Sequence, residues 1–507
     1  MHKKKRFFLY SCIFLLFLST SVYSASTYKE NVTTIQLIGL NDFHGQLDTY
    51  QEVSGQKVGG AEYVASLVKK LRNQNPDSLL VHAGDMVGGS PPLSSVFQDE
   101  PTIEFLNSLH VDIGTLGNHE FDRGVPEMLR LIQSDPSSDF RGSTTTYISA
   151  NVLNKDTHSP LFPPYLVKEI NGKKIGFIGV VTTETQDYVV PSHLNGLIIT
   201  DEVEAINHAA TEIVSQGVTT IVVLAHVSAK SSLTGGNPRQ ELVKMAPSLH
   251  NEIDVIFAGH SHEYANTIVD NKLIVQGYSY GKAITQVNLE FDNTTDTLLN
   301  KEATIHLTSH EHIEPDLQTI QLLEKYRVKQ NEMNQIVMIL PQSISRKKDR
   351  NGDSPLGKLL VESMSNETQA DIAFTHHGGI RFNLEKGPIS INDVKRALPF
   401  NHHVLKVELS GLQIKQAIEE QWKGEKENLL QIKGLTYMNT SPFSKKVETI
   451  YLDNGEKLKL NSTYTVALTD YLGNGGDGFL AFQNHRLLKK YGNVSDLLID
   501  YLREENY

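Results

Sequence analysis

Cysteine is nearly missing from this sequence of 507 residues, in which Cys12 is the only one. Cys12 lies in an N-terminal segment that we expect to be removed, so the mature chain would contain neither a disulfide nor a thiol. An exported protein of this kind must rely on its hydrophobic core alone, and a chain of this length can bury enough surface for that. The run Leu9-Tyr10-Ser11-Cys12 superficially resembles a lipoprotein box, but apolar residues continue past the cysteine and argue against lipidation.

An excess of positive charge is also missing. The chain has 47 Lys and Arg against 59 Asp and Glu, which gives a formal net charge of −12. A protein that binds nucleic acid through its phosphates is expected to be basic, so we expect no nucleic acid polymer as a partner. A small phosphorylated ligand is compatible with the acidic balance, because bound divalent cations would reverse the local field.

The sequence has one marked hydrophobic run, near the N-terminus. Lys3-Lys4-Lys5-Arg6 forms a basic head, and the apolar residues 7–18 are too few for a comfortable membrane span. Val22-Tyr23-Ser24 then offers cleavage positions. We therefore predict that residues 1–24 are a signal peptide and that the protein is periplasmic or extracellular. The C-terminus is polar, so we expect no stable membrane anchor after the signal is removed.

Short apolar runs alternate with amphipathic segments in residues 33–312, which we predict to be one layered α/β domain. The expected strands are 35–40, 79–83, 111–116, 174–181, 220–225, 253–258, 273–276 and 284–291, and the expected helices include 61–71 and 103–109. A second α/β pattern covers residues 337–507, with helices at 356–364 and 412–421 and strands at 404–409 and 463–468.

The two patterns are separated by residues 313–336. Residues 314–335 are polar and contain neither Gly nor Pro apart from Pro315 near their start, which predicts one long helix that links the domains. The alternative is that this stretch is a surface helix of the first domain.

Five blocks of metal-ligand type each follow a predicted strand. They are Asp42-Phe43-His44, Gly84-Asp85, Gly117-Asn118-His119-Glu120, Ala225-His226 and Gly259-His260-Ser261-His262. In α/β sheets, ligands gather outside the carboxyl ends of the strands, so we expect these blocks to meet. Histidine nitrogens mixed with carboxylate and amide oxygens suit Zn²⁺ or Mn²⁺ better than Ca²⁺.

In this order, the five blocks resemble the motifs of calcineurin-type metallophosphoesterases. Gly378-Gly379-Ile380-Arg381, Leu398-Pro399-Phe400 and the glycine-rich stretch 473–479 resemble the C-terminal domain of the 5'-nucleotidase family. This resemblance covers nearly the whole mature chain. It implies an α-β-β-α metallophosphoesterase sandwich, followed by a second α/β domain that binds the substrate.

The resemblance also implies two divalent metal ions, Zn²⁺ or Mn²⁺ first, with Mg²⁺ and Co²⁺ as alternatives. One ion would be bound by Asp42, His44 and His262, the other by Asn118, His226 and His260, with Asp85 bridging them. His119 would be catalytic and would stabilise the phosphoryl group in the transition state, while Asp122 orients its ring and keeps it protonated.

For the substrate, the resemblance implies five residues of the second domain: Arg350, Arg381, Phe400, Tyr471 and Asp477. The arginines would bind phosphate or ribose, the two rings would stack on the base, and the aspartate would accept from ribose hydroxyls. Two positions depart from the family pattern, since Tyr471 replaces a common Phe and His376 replaces a common Asn. We expect His402 and His403, which follow the motif of Phe400, to be exposed.

Together these features lead us to expect an exported dimetal 5'-nucleotidase that acts on small nucleotides, with nucleoside di- and triphosphates or nucleotide-sugars as further candidate substrates. The alternative enzyme is a 2',3'-cyclic-nucleotide phosphodiesterase with 3'-nucleotidase activity. An alternative of another class is an exported nucleotide-binding protein with an inactive metal site.

Overall fold

The computed structural model describes residues 31–133, 138, 140–349, 352–423, 428–439 and 445–504. The expected signal peptide, residues 1–24, and Arg350 lie outside the described residues, so what the sequence indicates about them stays a prediction. Among the helices of the described residues, none combines the length and the hydropathy that a membrane crossing requires.

Two six-stranded sheets form the centre of the N-terminal half. The first sheet has the spatial order Leu298–Leu307, Ala283–Asp292, Val32–Leu40, Ser78–His82, Ile113–Gly114 and Thr146–Tyr147, and its last four strands are parallel. The second has the order Tyr264–Val269, Lys272–Gly277, Ile253–Ala258, Ile221–His226, Lys173–Val181 and Tyr165–Ile170, and its four inner strands are parallel.

Alternate side chains of the strand Val32–Leu40 show how the layers are made. Ile35 and Leu37 pack with apolar residues of the second sheet, whereas Ile38 and Leu40 pack with the helices on the opposite face. The helices Ala61–Gln74, Glu100–Ser108 and Leu317–Arg327 cover the first sheet, and Glu202–Ser215 and Glu241–Met245 cover the second. This arrangement confirms the predicted α-β-β-α sandwich.

Shorter elements connect these layers. They are the hairpin Tyr50–Val53 with Gln56–Gly59, the ribbon Val152–Asn154 with Leu197–Ile199, the helices Pro92–Ser95, Val125–Ile132 and Thr185–Tyr188, and the 3₁₀ turns His119–Phe121, Pro191–Leu194 and Ala246–Ser248. The strand predicted at 111–116 is wrong in length, because only Ile113–Gly114 pairs. Its chain leaves the sheet early since the turn at Gly117 carries the next residues to the candidate site.

The predicted long linker helix is also wrong in length. The α-helix spans Leu317–Arg327 and is followed by the 3₁₀ segment Val328–Asn334. Leu323 and Tyr326 are buried in the core between the first sheet and its helices. After Arg327 the chain is mostly polar and Val328 is largely exposed, whereas helix stability in proteins comes mostly from a buried apolar face. The alternative interpretation, a surface helix of the first domain, therefore describes this segment better.

The C-terminal half contains a five-stranded mixed sheet in the order Leu430–Lys433, Ile372–His376, Thr463–Thr469, His403–Ser410 and Arg486–Asn493. Its helices are Pro355–Thr368, Ile391–Ala397, Gly411–Glu420, Asp470–Gly473 and Val494–Glu504, with 3₁₀ turns at His377–Gly379, Gly476–Gly478 and Leu480–Phe482. Two ribbons complete it, Ile336–Leu340 with Gly387–Ser390 and Leu435–Asn439 with Val447–Leu452. Apolar clusters pack on both faces of the sheet, which makes this a second α/β layer structure.

Candidate active site

Polar side chains gather where parallel strands of both sheets end. They are Asp42 and His44 after Val32–Leu40, Asp85 after Ser78–His82, Asn118 and His119 after Ile113–Gly114, His226 at the end of Ile221–His226, and His260 and His262 after Ile253–Ala258. Since these strand ends lie at the same edge of the two facing sheets, residues far apart in sequence come together there.

The backbone at this edge is strained. Its φ angle is positive at five of the residues just named, with 47° at Asp42, 50° at His44, 55° at Asp85, 70° at His260 and 59° at His262. A left-handed conformation at a residue other than glycine costs on the order of 1 kcal/mol or more and persists only where surrounding contacts fix it. Here neighbouring loops supply such contacts, since the amide of His44 donates to the carbonyl of Asp85 at 2.9 Å.

Asp42, His44, Asp85 and His262 form a first cluster, whose ligand atoms all lie within 4.8 Å of one another. His44 Nε2 lies 3.1 Å from His262 Nε2 and 3.4 Å from Asp85 Oδ2. His262 Nε2 lies 3.5 Å from Asp42 Oδ1. Two atoms that bind the same cation at about 2.0–2.2 Å are themselves about 3.0–3.5 Å apart, so the first cluster has the spacing of a metal site.

A second cluster shares Asp85 with the first. His226 Nε2 lies 3.1 Å from Asn118 Oδ1 and 3.2 Å from Asp85 Oδ2. His260 Nδ1 lies 3.0 Å from the same oxygen of Asn118. The other oxygen of Asp85 accepts from the amide of His119 at 2.9 Å, which leaves Oδ2 directed at both clusters. The structure thus brings together all seven residues predicted as metal ligands, with Asp85 between the two groups.

The protons in these clusters point away from the centre. His44 Nδ1 donates to the carbonyl of Gly88 at 2.8 Å, and His226 Nδ1 donates to the carbonyl of Ala83 at 2.8 Å. A neutral imidazole has one N–H, so Nε2 of His44 presents a lone pair inward, and Nε2 of His226 does so once that ring has lost its second proton. Lone pairs of nitrogen and oxygen that converge in this way repel one another unless a cation binds them. The residues present therefore fit divalent metal ions.

Burial keeps most of these imidazoles neutral. It lowers the pKa of His44 and of His262 well below the usual value for histidine, and it also lowers the pKa of His260. His226 differs: burial is the largest single effect and lowers its pKa, but the charges of Asp85 and Asp42 and the hydrogen bonds to Asp85 and Ala83 together outweigh burial and raise the pKa to about 9. A metal ion that binds there must displace a proton from His226, which makes metal affinity dependent on pH.

The carboxylate of Glu120, which sequence reasoning left without a role, holds the loops of both clusters together. It accepts from the amides of Gly117, Met86 and Asp85 at 2.6, 2.8 and 3.0 Å. The sequence signal that could have revealed this role is the position of Glu120 directly after His119 in the motif. Glu120 therefore positions Asp85 against the residues that follow Gly117.

Two further polar side chains orient ligands and were not predicted. Asn41 donates to Asp42 Oδ2 at 2.7 Å, and Glu184 Oε2 lies 3.0 Å from Nε2 of His260. A carboxylate on the outer nitrogen of a metal-binding histidine fixes its tautomer and raises its basicity. Asn41 could have been found by its position beside Asp42, and Glu184 by its position after the strand Lys173–Val181.

His119 lies beside the metal clusters without belonging to them. Its Nδ1 lies 2.9 Å from Asp122 Oδ2, and that oxygen also accepts from the amide of Gly89 at 3.1 Å. Burial opposes the charged form, but the charges of Asp122 and Asp85 outweigh it and raise the pKa of His119. On its other side, His119 Nε2 lies 3.1 Å from Nη2 of Arg381 in the second domain.

A row of rings runs from the first cluster into the second domain. The ring centroid of His119 lies 4.8 Å from that of His44 and 5.8 Å from that of Phe400. The guanidinium of Arg381 lies over the ring of Phe400, 5.3 Å from its centroid. His402 continues the row at 5.3 Å from Phe400, so our expectation that His402 is exposed was wrong.

Tyr471 and Asp477 close the far end of this row. The hydroxyl of Tyr471 donates to Asp477 Oδ1 at 2.7 Å and lies 2.9 Å from the carbonyl oxygen of Tyr188 in the first domain. Burial raises the pKa of Asp477 to about 6. Tyr471 therefore holds Asp477 in place and also joins the two domains.

A second arginine, Arg346, lies close enough to Arg381 for the two charges to interact. The guanidinium Nε of Arg346 is buried without a hydrogen-bond partner among the described residues, and so is Nε of Arg381. Burial, together with the positive charge of Arg381, lowers the pKa of Arg346. Because neighbouring arginines that have no acidic partner among the described residues favour a bound anion, Arg346 is a candidate that sequence reasoning missed. Arg350 alone was predicted from the sequence, by its position in a charged stretch.

Groups from both ligand clusters and from the second domain line one cleft of about 740 Å³ between the domains. Its walls include Asp85, Asn118, His119, His260 and His262 from the first domain and Arg381, Phe400, Tyr471 and Asp477 from the second. A cleft of this size is typical of a small-molecule site.

Comparison with protein families identifies both halves of the chain. The profile of the calcineurin-like phosphoesterases matches residues 35–264, and the profile of the 5'-nucleotidase C-terminal domain matches residues 326–484.

Among characterised sequences, an endonuclease of Bacillus subtilis is 34% identical over 476 residues, which cover 90% of this chain and 39% of the endonuclease. A cell wall protein of Listeria monocytogenes is 32% identical over 547 residues, covering 96% of this chain and 69% of that protein. This chain thus spans about two fifths of the length of the first relative and about two thirds of the second.

Among solved structures, the 5'-nucleotidase precursor of Thermus thermophilus superposes with a TM-score of 0.78 at 26% identity, covering 93% of this chain and 96% of that one. The similarity therefore includes both domains.

Proposed function

Because this chain belongs to the family that joins a calcineurin-like phosphoesterase domain to a 5'-nucleotidase C-terminal domain, we propose that it hydrolyses nucleoside 5'-monophosphates to nucleoside and phosphate. The chain is a metal-dependent phosphoesterase. One observation carries the choice of substrate: the row of rings that starts at the metal ligand His44 passes through His119 and reaches Phe400. A phosphate at the ligand clusters and a base beside Phe400 would lie in the same cleft.

Two divalent cations held by these ligands, Zn²⁺ or Mn²⁺ in our proposal, supply Lewis-acid polarisation of a phosphate oxygen and a water of lowered pKa. His119, with its proton on Nδ1 held by Asp122, directs Nε2 at the phosphoryl group. Arg381 presents its planar fork to the same group from the other domain. Phosphoryl transfer depends mainly on positioning and charge stabilisation. In this proposal His119 and Arg381 supply both to the phosphoryl group.

The second domain would recognise the nucleoside. Phe400 offers a π-face for the base, and Tyr471 offers another beyond it. The carboxylate of Asp477, held by Tyr471, is an acceptor that ribose hydroxyls can donate to. We propose Arg346 and Arg350 as further arginines for the phosphate end.

We also propose that the protein is exported through residues 1–24. The basic head and short apolar core of that segment support this, as does the similarity to a cell wall protein of Listeria monocytogenes.

The test is phosphate release from a panel of 5'-AMP, 3'-AMP, ATP, UDP-glucose and 2',3'-cyclic AMP, with Mn²⁺, with Zn²⁺ and with a chelator. A single-stranded DNA belongs in the panel, because one relative is an endonuclease. We expect metal-dependent release from 5'-AMP. Release from 3'-AMP and the cyclic nucleotide alone would replace our proposal with the cyclic phosphodiesterase. Binding of AMP without release by metal-loaded protein would identify an exported nucleotide-binding protein.

A further inference from the structure

His402 lies where the base of a nucleotide would be expected to stack. Its ring is nearly parallel to that of Phe400, with the centroids 5.3 Å apart and an angle of 17° between the planes. Its centroid also lies 5.0 Å from that of Tyr471, at an angle of 37°. Among the described ring contacts, Phe400 and Tyr471 are connected through His402 rather than directly. The imidazole therefore packs against both rings that are proposed to hold the base.

The imidazole of His402 packs against neighbouring rings, but no hydrogen bond among the described residues holds it. The nearest carboxylate oxygen, Oδ1 of Asp470, lies 3.7 Å from its Nδ1, which is beyond hydrogen-bond distance. The side chain keeps 21% of its surface exposed, toward the cleft. Burial, together with the neighbouring His376, lowers the pKa of His402 to about 4, so the ring is neutral at pH 7.

The backbone of His402 is held independently of its ring. Its carbonyl accepts from the amide of Val494 at 2.9 Å, at the start of the C-terminal helix. The side chain can therefore turn out of the stacking space without moving the loop. Since no hydrogen bond among the described residues holds the ring, turning it out costs mainly its ring contacts with Phe400, Tyr471 and His376.

We propose that His402 sets the affinity for nucleosides: its imidazole fills the stacking space in the free protein and gives way to the base when a nucleotide binds. This inference rests on the proposed function. A base then replaces ring contacts that already exist, so part of its stacking energy is offset by the displacement of His402. A phosphate ester without a base leaves His402 in place and is unaffected by it.

This proposal can be tested by calorimetry, which measures the affinity of the full chain for adenosine, cytidine and ribose 5-phosphate. The proteins to compare are wild type, His402→Ala, His402→Phe and His403→Ala. Aromatic contacts of this kind correspond to about 2- to 10-fold in affinity. We expect His402→Ala to bind both nucleosides more tightly by that factor and ribose 5-phosphate as before. His402→Phe keeps a ring in the slot and should stay close to wild type. His403→Ala, a change at the neighbouring residue, should have no effect.

Weaker nucleoside binding by His402→Ala would overturn the inference, because it would make the ring a contact for the base rather than its competitor. A change in ribose 5-phosphate binding of the same size would also overturn it. Phosphate release from 5'-AMP measured on the same samples separates this inference from the proposed function. Adenosine that binds as expected without any release from AMP would leave the exchange at His402 standing and refute the nucleotidase activity.

Discussion

Nε2 of His119 and Nη2 of Arg381 lie 3.1 Å apart where the two domains meet. A guanidinium can only donate, so this contact needs an unprotonated Nε2. Asp122 and Asp85 nevertheless outweigh burial and raise the pKa of His119, which favours a second proton on its ring. A phosphoryl oxygen is an acceptor to which both side chains could donate. The pair therefore marks the point at which groups from both domains would bind the same anion.

His119→Ala should reduce kcat for 5'-AMP by about 100- to 1,000-fold, the usual loss when one donor to a developing negative charge is removed. The ring is not a metal ligand in our account, so the metal content should not change. Steady-state kinetics and elemental analysis of the same samples measure both effects. His208→Ala, at an exposed histidine, is the matched control. Loss of metal with loss of activity would instead place His119 among the ligands.

Asp122→Asn should move the alkaline limb of the pH–rate profile to lower pH. Burial alone would lower the pKa of His119, and the negative charge of Asp122 is the first of the effects that raise it. Without that charge, His119 loses its proton at a lower pH, and activity that needs the protonated ring ends there. The measurement is kcat/KM for 5'-AMP across the range from acid to alkaline pH. An alkaline limb at the wild-type position would show that His119 does not act as a proton-bearing group.

Asp85→Asn should release both metal ions, whereas His262→Ala should weaken only one site. The reason is that Asp85 Oδ2 lies 3.4 Å from the histidine nitrogen of one cluster and 3.2 Å from that of the other. His262 contacts the first cluster alone. Metal content after dialysis against buffer without metal checks the difference. Equal losses in the two variants would contradict a bridging role for Asp85.

His376 should make the protein less stable as the pH falls. Burial lowers the pKa of His376 to about 3, whereas an unfolded histidine titrates near its ordinary value of 6.5. Because the folded pKa is depressed, the stabilisation is fully present above pH 6.5 and is lost progressively as the pH falls toward about 3. Between pH 7 and pH 5, this group alone should remove about 2 kcal/mol from the free energy of unfolding.

Urea unfolding of wild type and His376→Asn at pH 7 and pH 5 measures that effect. The variant should lose less stability than wild type over this range, and His403→Asn, at a more exposed ring, should behave like wild type. An identical loss in all three proteins would show that His376 stays as easily protonated in the folded protein as in the unfolded one.

Short motifs at strand ends explain how much of the site could be predicted from the sequence. Three of the predicted ligands lie close behind the end of a strand: Asp42 by two residues, and His44 and Asn118 by four. Strand ends meet at one edge of a sheet, which brings such residues together. The α-β-β-α order could also be predicted, because buried parallel strands appear in the sequence as apolar runs.

Features set by distant packing could not be predicted. The contact of His402, just before a strand, with Tyr471, in the short helix Asp470–Gly473, joins residues far apart in the sequence, and nothing beside His402 in the sequence indicates it. The end of the helix Leu317–Arg327 depends on where the apolar surface of the first domain stops, which a polar sequence does not record. Arg350 was chosen by position alone in a charged stretch, and Arg346, four residues earlier, was not considered.

The central claim is that the metal ligands of one domain and the aromatic clamp of the other act on the same molecule. Its most direct test is kcat/KM for 5'-AMP and for ribose 5-phosphate in wild type and Phe400→Ala. Loss of one base-stacking ring should lower kcat/KM for 5'-AMP by about 10-fold. The value for ribose 5-phosphate, which has no base, should stay unchanged. Equal kcat/KM for 5'-AMP in the two proteins would contradict the account, because the base would then bind elsewhere.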